Sequence, residues 1–434
     1  MTTSNHLIVN KSNPLIGKIK IPGDKSISHR SIILGSLSEG QLTISNFLNS
    51  SDCIATIHAM RQLGVDISID NNSVFIEGKG LDGLNKPKNV IDAGNSGTLI
   101  RLLSGILAAQ EFKSVITGDE SLKTRPMARI IEPLISYGAS IESNGFKAPL
   151  KIIGSKSLNP IRYNQDIASA QVKSCLIMSA LYIENESTFY EEVPTRDHTE
   201  NLLQHLEYQI SRQEKTFCFN GRQKLIAKDI HIGSDISSAA FFIVAGLILK
   251  DSIVEFSNVN INKYRTGILR VLKDMGANIE INNIKKVSNE DVGDIRVIHS
   301  KLKPINISGD IIPSLIDELP ILFIACTVAS GVSKISGIEE LRHKESDRIK
   351  AMEEGLSAIG IKVSSTKDSI EITGGEVMGG KIDSYGDHRI AMSFAIAGLI
   401  SKSSLTIMNT KNIDTSFPNF VNLLRASGCS VYEI

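Results

Sequence analysis

The sequence predicts an α/β repeat protein built from six similar units. Two observations carry that prediction. The first is a recurring passage from a helix-period stretch, through an apolar residue and a glycine, into an alternating strand. It reads MRQLGVDISI at Gly64, PLISYGASIE at Gly138 and LLQHLEYQIS with Glu207 in the glycine place. It continues as VLKDMGANIE at Gly276, GLSAIGIKVS at Gly360 and LLRASGCSVY at Gly428. Successive positions are 74, 69, 69, 84 and 68 residues apart. Glycine supplies the left-handed residue that ends a helix before a strand begins. The second observation is that each of these passages is preceded by an apolar helix opened by small or polar residues.

Taken in order, the six apolar helices are SISHRSIILGSL, SGTLIRLLSGILAA, SAQVKSCLIMSAL, ISSAAFFIVAGLIL, LIDELPILFIACTVA and DHRIAMSFAIAGLI. They are apolar nearly all round, which predicts burial rather than a surface position. Short alternating strands follow five of them: LTISNF, SVITG, IVEFSNV, SKISGI and LTIMN. Each unit therefore reads buried helix, strand, loop, amphipathic helix, strands.

The ends of the chain bear on domain organisation. The first unit starts near Asp24, leaving a leader with two strand-like pieces, LIVN and GKIKI. The sixth stops at CSVYEI without the further strand that others have as VFIEG, PLKII and IEITG. The simplest reading is that the leader completes the last unit. The chain then crosses between two three-unit domains near Pro22 and near Asp235. One domain would span 22–235, and the other 1–21 plus 236–434. A single large α/β array of six loosely similar units is the alternative.

Composition narrows the function. In 434 residues, Lys and Arg number 47 and Asp and Glu 47, so there is no basic excess of the kind general nucleic-acid binders show. With 41% hydrophobic and 22% charged residues, a sizeable core is expected. The longest apolar-and-glycine run, Ala239 to Leu249, is short against the roughly 20 residues of a membrane span. The N-terminus lacks a signal-peptide pattern. Five scattered cysteines without a CxxC pair fit a reduced cytosolic compartment. No HExxH or HxH pair supports a metal site. No P-loop is present, and GNSGT is not GxGxxG.

The unusual residues gather where the buried helices begin, at PGDKSISHR, AGNSGTLIR, IASAQVK, GSDISSA, IDELP and YGDHR. A helix start offers free N–H groups and partial positive charge to an anion. Ser26 with Arg30, Gly97 with Arg101, and Ser169 with Lys173 are each four apart, hence on one helix face. The three pairs follow each other at 71 and 72 residues, so repeat symmetry brings them to equivalent places. A small-residue start with a cation over its own helix explains any one pair; three in register favour a shared anion-binding mouth. Later, Asp317 and Glu318 precede an apolar helix, Lys344 and Arg348 flank Glu345 at helical spacing, and Asp387-His388-Arg389 heads another helix. With cations concentrated at helix starts, the balancing acids are expected elsewhere. The residues alone thus predict a protein, enzyme or binder, for small anionic molecules.

Nine motifs occur in one order: PGDKSISHR, GNSGT, TRPM, SAQVKS, TRDHTE, IDELPIL, ELRHKESDR, DHRIAMSFA and TSFPNF. Together they closely resemble the 5-enolpyruvylshikimate-3-phosphate synthases, from about Lys18 to the C-terminus. SAQVKS, TRDHTE, KESDR and TSFP look like the second, partly glyphosate-tolerant branch. The resemblance implies an enolpyruvyl transferase fold, two domains of three βαβαββ repeats each, with the active site in the cleft between them. It implies transfer of the enolpyruvyl group of phosphoenolpyruvate to the 5-hydroxyl of shikimate 3-phosphate, through a tetrahedral intermediate and without metal or organic cofactor. Glyphosate is the implied inhibitor; a cytoplasmic monomer with no nucleic-acid or membrane partner is expected.

By the same resemblance, Lys25, Ser26, Arg30, Ser169, Ala170, Gln171 and Arg196 match the shikimate 3-phosphate site. Lys25, Gly97, Arg125, Gln171, Arg348 and Arg389 match the phosphoenolpyruvate site. Lys344 and Asp317 match groups on the ring hydroxyls. Asp317 is the implied base for the 5-hydroxyl, Glu345 the implied proton donor to the methylene carbon, and Lys25 a third catalytic group. Three positions depart from the pattern. Thr415 stands where many members of the other branch have Lys, and Gly97 where tolerant members often have Ala, so the two point different ways on glyphosate. His343 replaces a common apolar residue. The sister transferase acting on UDP-N-acetylglucosamine is the nearest alternative. It carries a Lys-Asn pair in place of Lys25-Ser26 and a cysteine in the loop that reads GDESLKTRPM here. A non-catalytic anion-binding protein of the same fold is the other alternative, and the intact Asp317, Glu345 and Lys25 argue against it.

Overall fold

A computed structural model describes residues 6–165 and 168–434. The six apolar stretches form helices Lys25–Ser36, Gly97–Ala108, Ala170–Ala180, Ile236–Ile248, Leu319–Thr327 and His388–Gly398. The described residues hold six four-stranded sheets. In the second repeat, Ile91–Asp92 runs parallel to Lys113–Thr117 across the helix Gly97–Ala108. Lys147–Ile153 then pairs antiparallel with Lys113–Thr117, and Ser140–Asn144 closes the edge. The other five sheets share this pattern of one parallel and two antiparallel pairings. The fold is thus mixed α/β, six βαβαββ repeats.

The glycine register has the conformation expected of it. Gly64, Gly138, Gly276, Gly360 and Gly428 all have φ between 87° and 97°. Glu207 adopts the same left-handed region, at φ 67°, despite its side chain. Close helix packing also needs a glycine at Gly105, where a Cβ would come within 2.0 Å of the Cys175 carbonyl oxygen.

The chain divides into two compact units. One comprises Met1–Pro22, Ser234–Lys285 and Asp291–Ile434; the other comprises Gly23–Gly233 with Lys286–Glu290. Each has its own apolar core. The leader is shared between two repeats. His6–Val9 lies between Leu405–Met408 and Val431–Glu433 and completes the sixth sheet. Ile16–Lys18 instead runs parallel to Ile253–Asn260 in the fourth. In the other unit, Ile230–His231 fills the equivalent parallel place beside Glu39–Ser45. The strand after the third buried helix, Glu186–Tyr190, has no counterpart among the strands read from the sequence.

Candidate active site

In the unit built on Gly23–Gly233, three buried-helix starts carry the cations. Asp24 caps the first through the Ile27 N–H at 2.9 Å. Ser96 and Ser169 cap the others through Leu99 and Val172. The half-buried Lys25 pairs with Asp52 at 2.5 Å. Arg30 is buried among hydroxyls: Nε donates to Thr199 Oγ1 at 2.8 Å and Nη2 to Ser174 Oγ at 2.7 Å, while Nη1 donates to the Ser26 carbonyl. Arg101 Nη1 donates to Gln171 Oε1 at 2.8 Å, and Gln171 Nε2 to Thr98 Oγ1 at 3.1 Å. Arg125 Nη2 donates to Asn95 Oδ1 at 2.8 Å. A Cβ on Gly97 would lie 2.9 Å from Arg101 Nη1 and 3.2 Å from Arg125 Nη1. Gly97, Arg101, Arg125 and Gln171 therefore form one cluster. Ala170 is the first residue of its helix, Ser26 lies in the first turn of its own, and Arg196 is half-buried in the loop before His198–His205.

In the other unit the carboxylates and cations interleave. Lys344 Nζ donates to Asp317 Oδ1 at 3.2 Å, and Arg348 Nη1 stands 4.0 Å from the same oxygen. Arg348, 1% exposed, also pairs with Glu345 at 2.6 Å and with Asp387 at 2.8 Å. Arg389 Nη1 donates to the Asp317 carbonyl at 2.6 Å and approaches Glu318 at 3.5 Å. Burial opposes the charge on Arg348, but Asp387, Glu345 and Asp317 outweigh it and raise its pKa. Burial likewise opposes the charge on Asp387, yet Arg348 holds its carboxyl below the usual range.

Several expectations from the sequence change. Lys173 does not stand in an anion-binding mouth: it is fully buried and pairs with Glu191 at 3.0 Å and Glu200 at 2.8 Å. Lys344 and Arg348 do not share a helix face, because Lys344 is extended and the helix begins at Arg348. The balancing acids lie against the cations, since a buried charge without a partner is costly. Thr415 donates to the Asn412 carbonyl at 2.7 Å inside a short 3-10 turn. His343 is exposed, and nothing in the structure explains it. Ile167, which opens IASAQVK, lies outside the described residues. Sequence reasoning missed Asp52, Asn95, Glu191 and Thr199, partners that only folding brings near. Among the described residues, no group of three or more His, Cys, Asp or Glu is placed to hold a metal ion, and no helix is long and apolar enough to cross a membrane.

Fold and helix starts define a class, α/β repeat proteins that present cations and carboxylates to small anions. The family model for EPSP synthase (3-phosphoshikimate 1-carboxyvinyltransferase) matches residues 9–424. The chain is 47% identical over 422 residues to a 3-phosphoshikimate 1-carboxyvinyltransferase of Coxiella burnetii, covering 97% of this chain and 96% of that one. It is 48% identical over 408 residues to the Legionella pneumophila enzyme of that name, covering 94% of each. The solved EPSP synthase of Acinetobacter baumannii superposes with a TM-score of 0.88 at 42% identity, covering 98% of this chain and 99% of that one. The chain belongs to the EPSP synthase family. It is an enolpyruvyl transferase of the shikimate pathway to aromatic amino acids, joining phosphoenolpyruvate to shikimate 3-phosphate with release of phosphate. The family binds both substrates and is inhibited by glyphosate.

Proposed function

We propose that Asp317 is the base of this reaction and that the residues named above bind its two substrates. The observation that carries this reading is the convergence on Asp317: Lys344 on its carboxylate at 3.2 Å and Arg389 on its carbonyl at 2.6 Å. With its carboxylate held by Lys344 and its backbone by Arg389, Asp317 is oriented to accept the 5-hydroxyl proton of shikimate 3-phosphate. As that oxygen attacks C2 of phosphoenolpyruvate, Glu345 gives a proton to the methylene carbon. The product of addition is a tetrahedral intermediate that keeps the phosphate. Removal of a proton from the new methyl group then expels phosphate by C–O cleavage and regenerates the vinyl group. Positioned proton transfer of this kind contributes about 10²–10⁴-fold.

The anionic ends of the substrates match the cations. Arg125, Arg348 and Arg389 suit the carboxylate and phosphate of phosphoenolpyruvate, since guanidinium groups grip such anions through paired N–H bonds. Gly97 leaves room beside Arg125. Lys25, Ser26, Arg30, Ser169, Ala170, Gln171 and Arg196 take shikimate 3-phosphate, with Lys25 and Gln171 reaching both substrates. Arg30 also orders the helix start, because three of its five N–H groups serve Thr199, Ser174 and Ser26. The same reading takes the protein as a cytoplasmic monomer.

The test is the substitution Asp317→Asn. Turnover should fall at least about tenfold while both KM values stay within about threefold. An unchanged rate removes Asp317 from the base role. Phosphate release from phosphoenolpyruvate should require shikimate 3-phosphate; equal release with UDP-N-acetylglucosamine would overturn the choice of acceptor.

A further inference from the structure

Lys173 lies in the first turn of Ala170–Ala180, directly behind Ser169, Ala170 and Gln171. A buried ammonium is costly unless it is paired and hydrogen-bonded. Its Nζ lies 2.8 Å from Glu200 Oε1 and 3.0 Å from Glu191 Oε2, and donates to the Thr195 carbonyl at 3.3 Å. Burial would lower its pKa, but the two carboxylates outweigh burial and raise it, so the cation persists.

These partners hold one short segment of chain. Glu191 Oε1 accepts the Thr195 backbone N–H at 3.1 Å and also the Thr195 hydroxyl. The Lys173–Glu191 pair thus fixes Thr195 at its N–H, its hydroxyl and its carbonyl. The next residue is Arg196. Beyond it, Thr199 Oγ1 accepts from Arg30 and shares a hydrogen bond with Ser174 at 2.8 Å, and Glu200 returns to Lys173. One buried polar network therefore joins Ser26–Arg30, the helix start at Ser169–Gln171 and the loop that carries Arg196.

We infer that Lys173 is a positioning residue for shikimate 3-phosphate: it holds the Arg196 peptide against the Ser169–Gln171 helix start and so sets affinity for the phosphate without touching it. The inference rests on the assignment of Arg196 and Ser169 to that phosphate. Methionine would fill the same space but leave Glu191 and Glu200 without their cation and the Thr195 carbonyl without a donor. Arginine keeps the charge, but its planar fork is a different shape from a single ammonium. Asp317, Glu345, Arg348 and Arg389 stand outside this network.

Steady-state kinetics of Lys173→Met, Lys173→Arg, Arg196→Ala and the double variant Lys173→Met/Arg196→Ala test it. Lys173→Met should raise KM for shikimate 3-phosphate about tenfold, with kcat and KM for phosphoenolpyruvate within about twofold. Lys173→Arg should recover part of the loss. The double variant should be little worse than Arg196→Ala alone, because both changes remove one interaction. If Lys173→Met does not fold, Lys173→Met/Glu200→Gln removes the cation together with one buried anion and should show the same selective rise. An unchanged KM for shikimate 3-phosphate, additive losses, or a parallel change in kcat and both KM values overturns the inference. If Arg196→Ala itself leaves that KM unchanged, the assignment of Arg196 fails first and the inference with it.

Discussion

Asp387 grips Arg348 with both carboxylate oxygens, Oδ2 at 2.8 Å from Nε and Oδ1 at 3.3 Å from Nη2. Its Oδ1 also accepts the Arg389 backbone N–H at 2.8 Å, capping the helix His388–Gly398. One buried carboxylate thereby directs the Arg348 side chain and anchors the Arg389 backbone, two arginines assigned to phosphoenolpyruvate. Asp387→Ala leaves Arg348 buried with a partner missing, which typically costs about 3–5 kcal/mol. Denaturant unfolding should show that loss. Asp387→Asn keeps the cap and the shape, and should instead raise KM for phosphoenolpyruvate about tenfold. An unaltered KM in the Asn variant would show that Arg348 does not need the Asp387 charge to direct it.

Gly97 bears on the inhibitor. A methyl group there would press on Arg101 Nη1 and Arg125 Nη1, so both guanidinium groups must give by a few tenths of an ångström. Gly97→Ala should weaken glyphosate inhibition at least about tenfold and raise KM for phosphoenolpyruvate less, since the displaced guanidinium groups lose part of their paired N–H grip on anionic groups. Inhibitor titration of both proteins checks this. An identical inhibition constant would mean that the two arginines move away without consequence.

His29 predicts the acid limit of stability. Its Nδ1 is 2.6 Å from Thr56 Oγ1, and its Nε2 is buried without a hydrogen-bond partner. Burial, then the charges of Lys25 and Arg30, hold its pKa well below the ordinary 6.5. The unfolded chain therefore binds this proton first. Stability from His29 is complete above about pH 6.5 and falls below it, by up to about 1.4 kcal/mol per pH unit. Denaturation curves between pH 7 and 5 should show His29→Gln losing less stability than the parent over that range. Parallel curves would clear His29 of the effect.

Glu207 occupies a glycine position. Left-handed backbone costs a residue with a Cβ about 1–2 kcal/mol. Its exposed pair with Lys228, at 2.7 Å, returns little. Glu207→Gly should therefore stabilise by about 0.5–1 kcal/mol, the gain reduced by the greater freedom of glycine in the unfolded chain. Gly276→Ala is the converse, since a Cβ there meets nothing closer than 3.8 Å and only φ opposes it. It should destabilise by about 1 kcal/mol. Thermal melts of both variants decide the matter.

The sequence by itself determined what depends on neighbours along the chain. The left-handed turns at Gly64, Gly138, Gly276, Gly360 and Gly428 were legible because a helix stop is local chemistry. So were the buried helices, since thirteen apolar or small residues from Ile236 to Ile248 have nowhere to go but inside. Ordered motifs named the family. Tertiary structure decided the rest, namely which charges meet. Ser26–Arg30 and Ser169–Lys173 look alike in spacing, yet Arg30 faces hydroxyls from Ser174 and Thr199, and Lys173 faces Glu191 and Glu200. Nothing near Lys173 in sequence announces two acids 18 and 27 residues further on. Nor does Ile16–Lys18 announce a partner strand beginning at Ile253. A buried charge takes its role from the groups folding sets around it, because water no longer screens it and each partner counts in full.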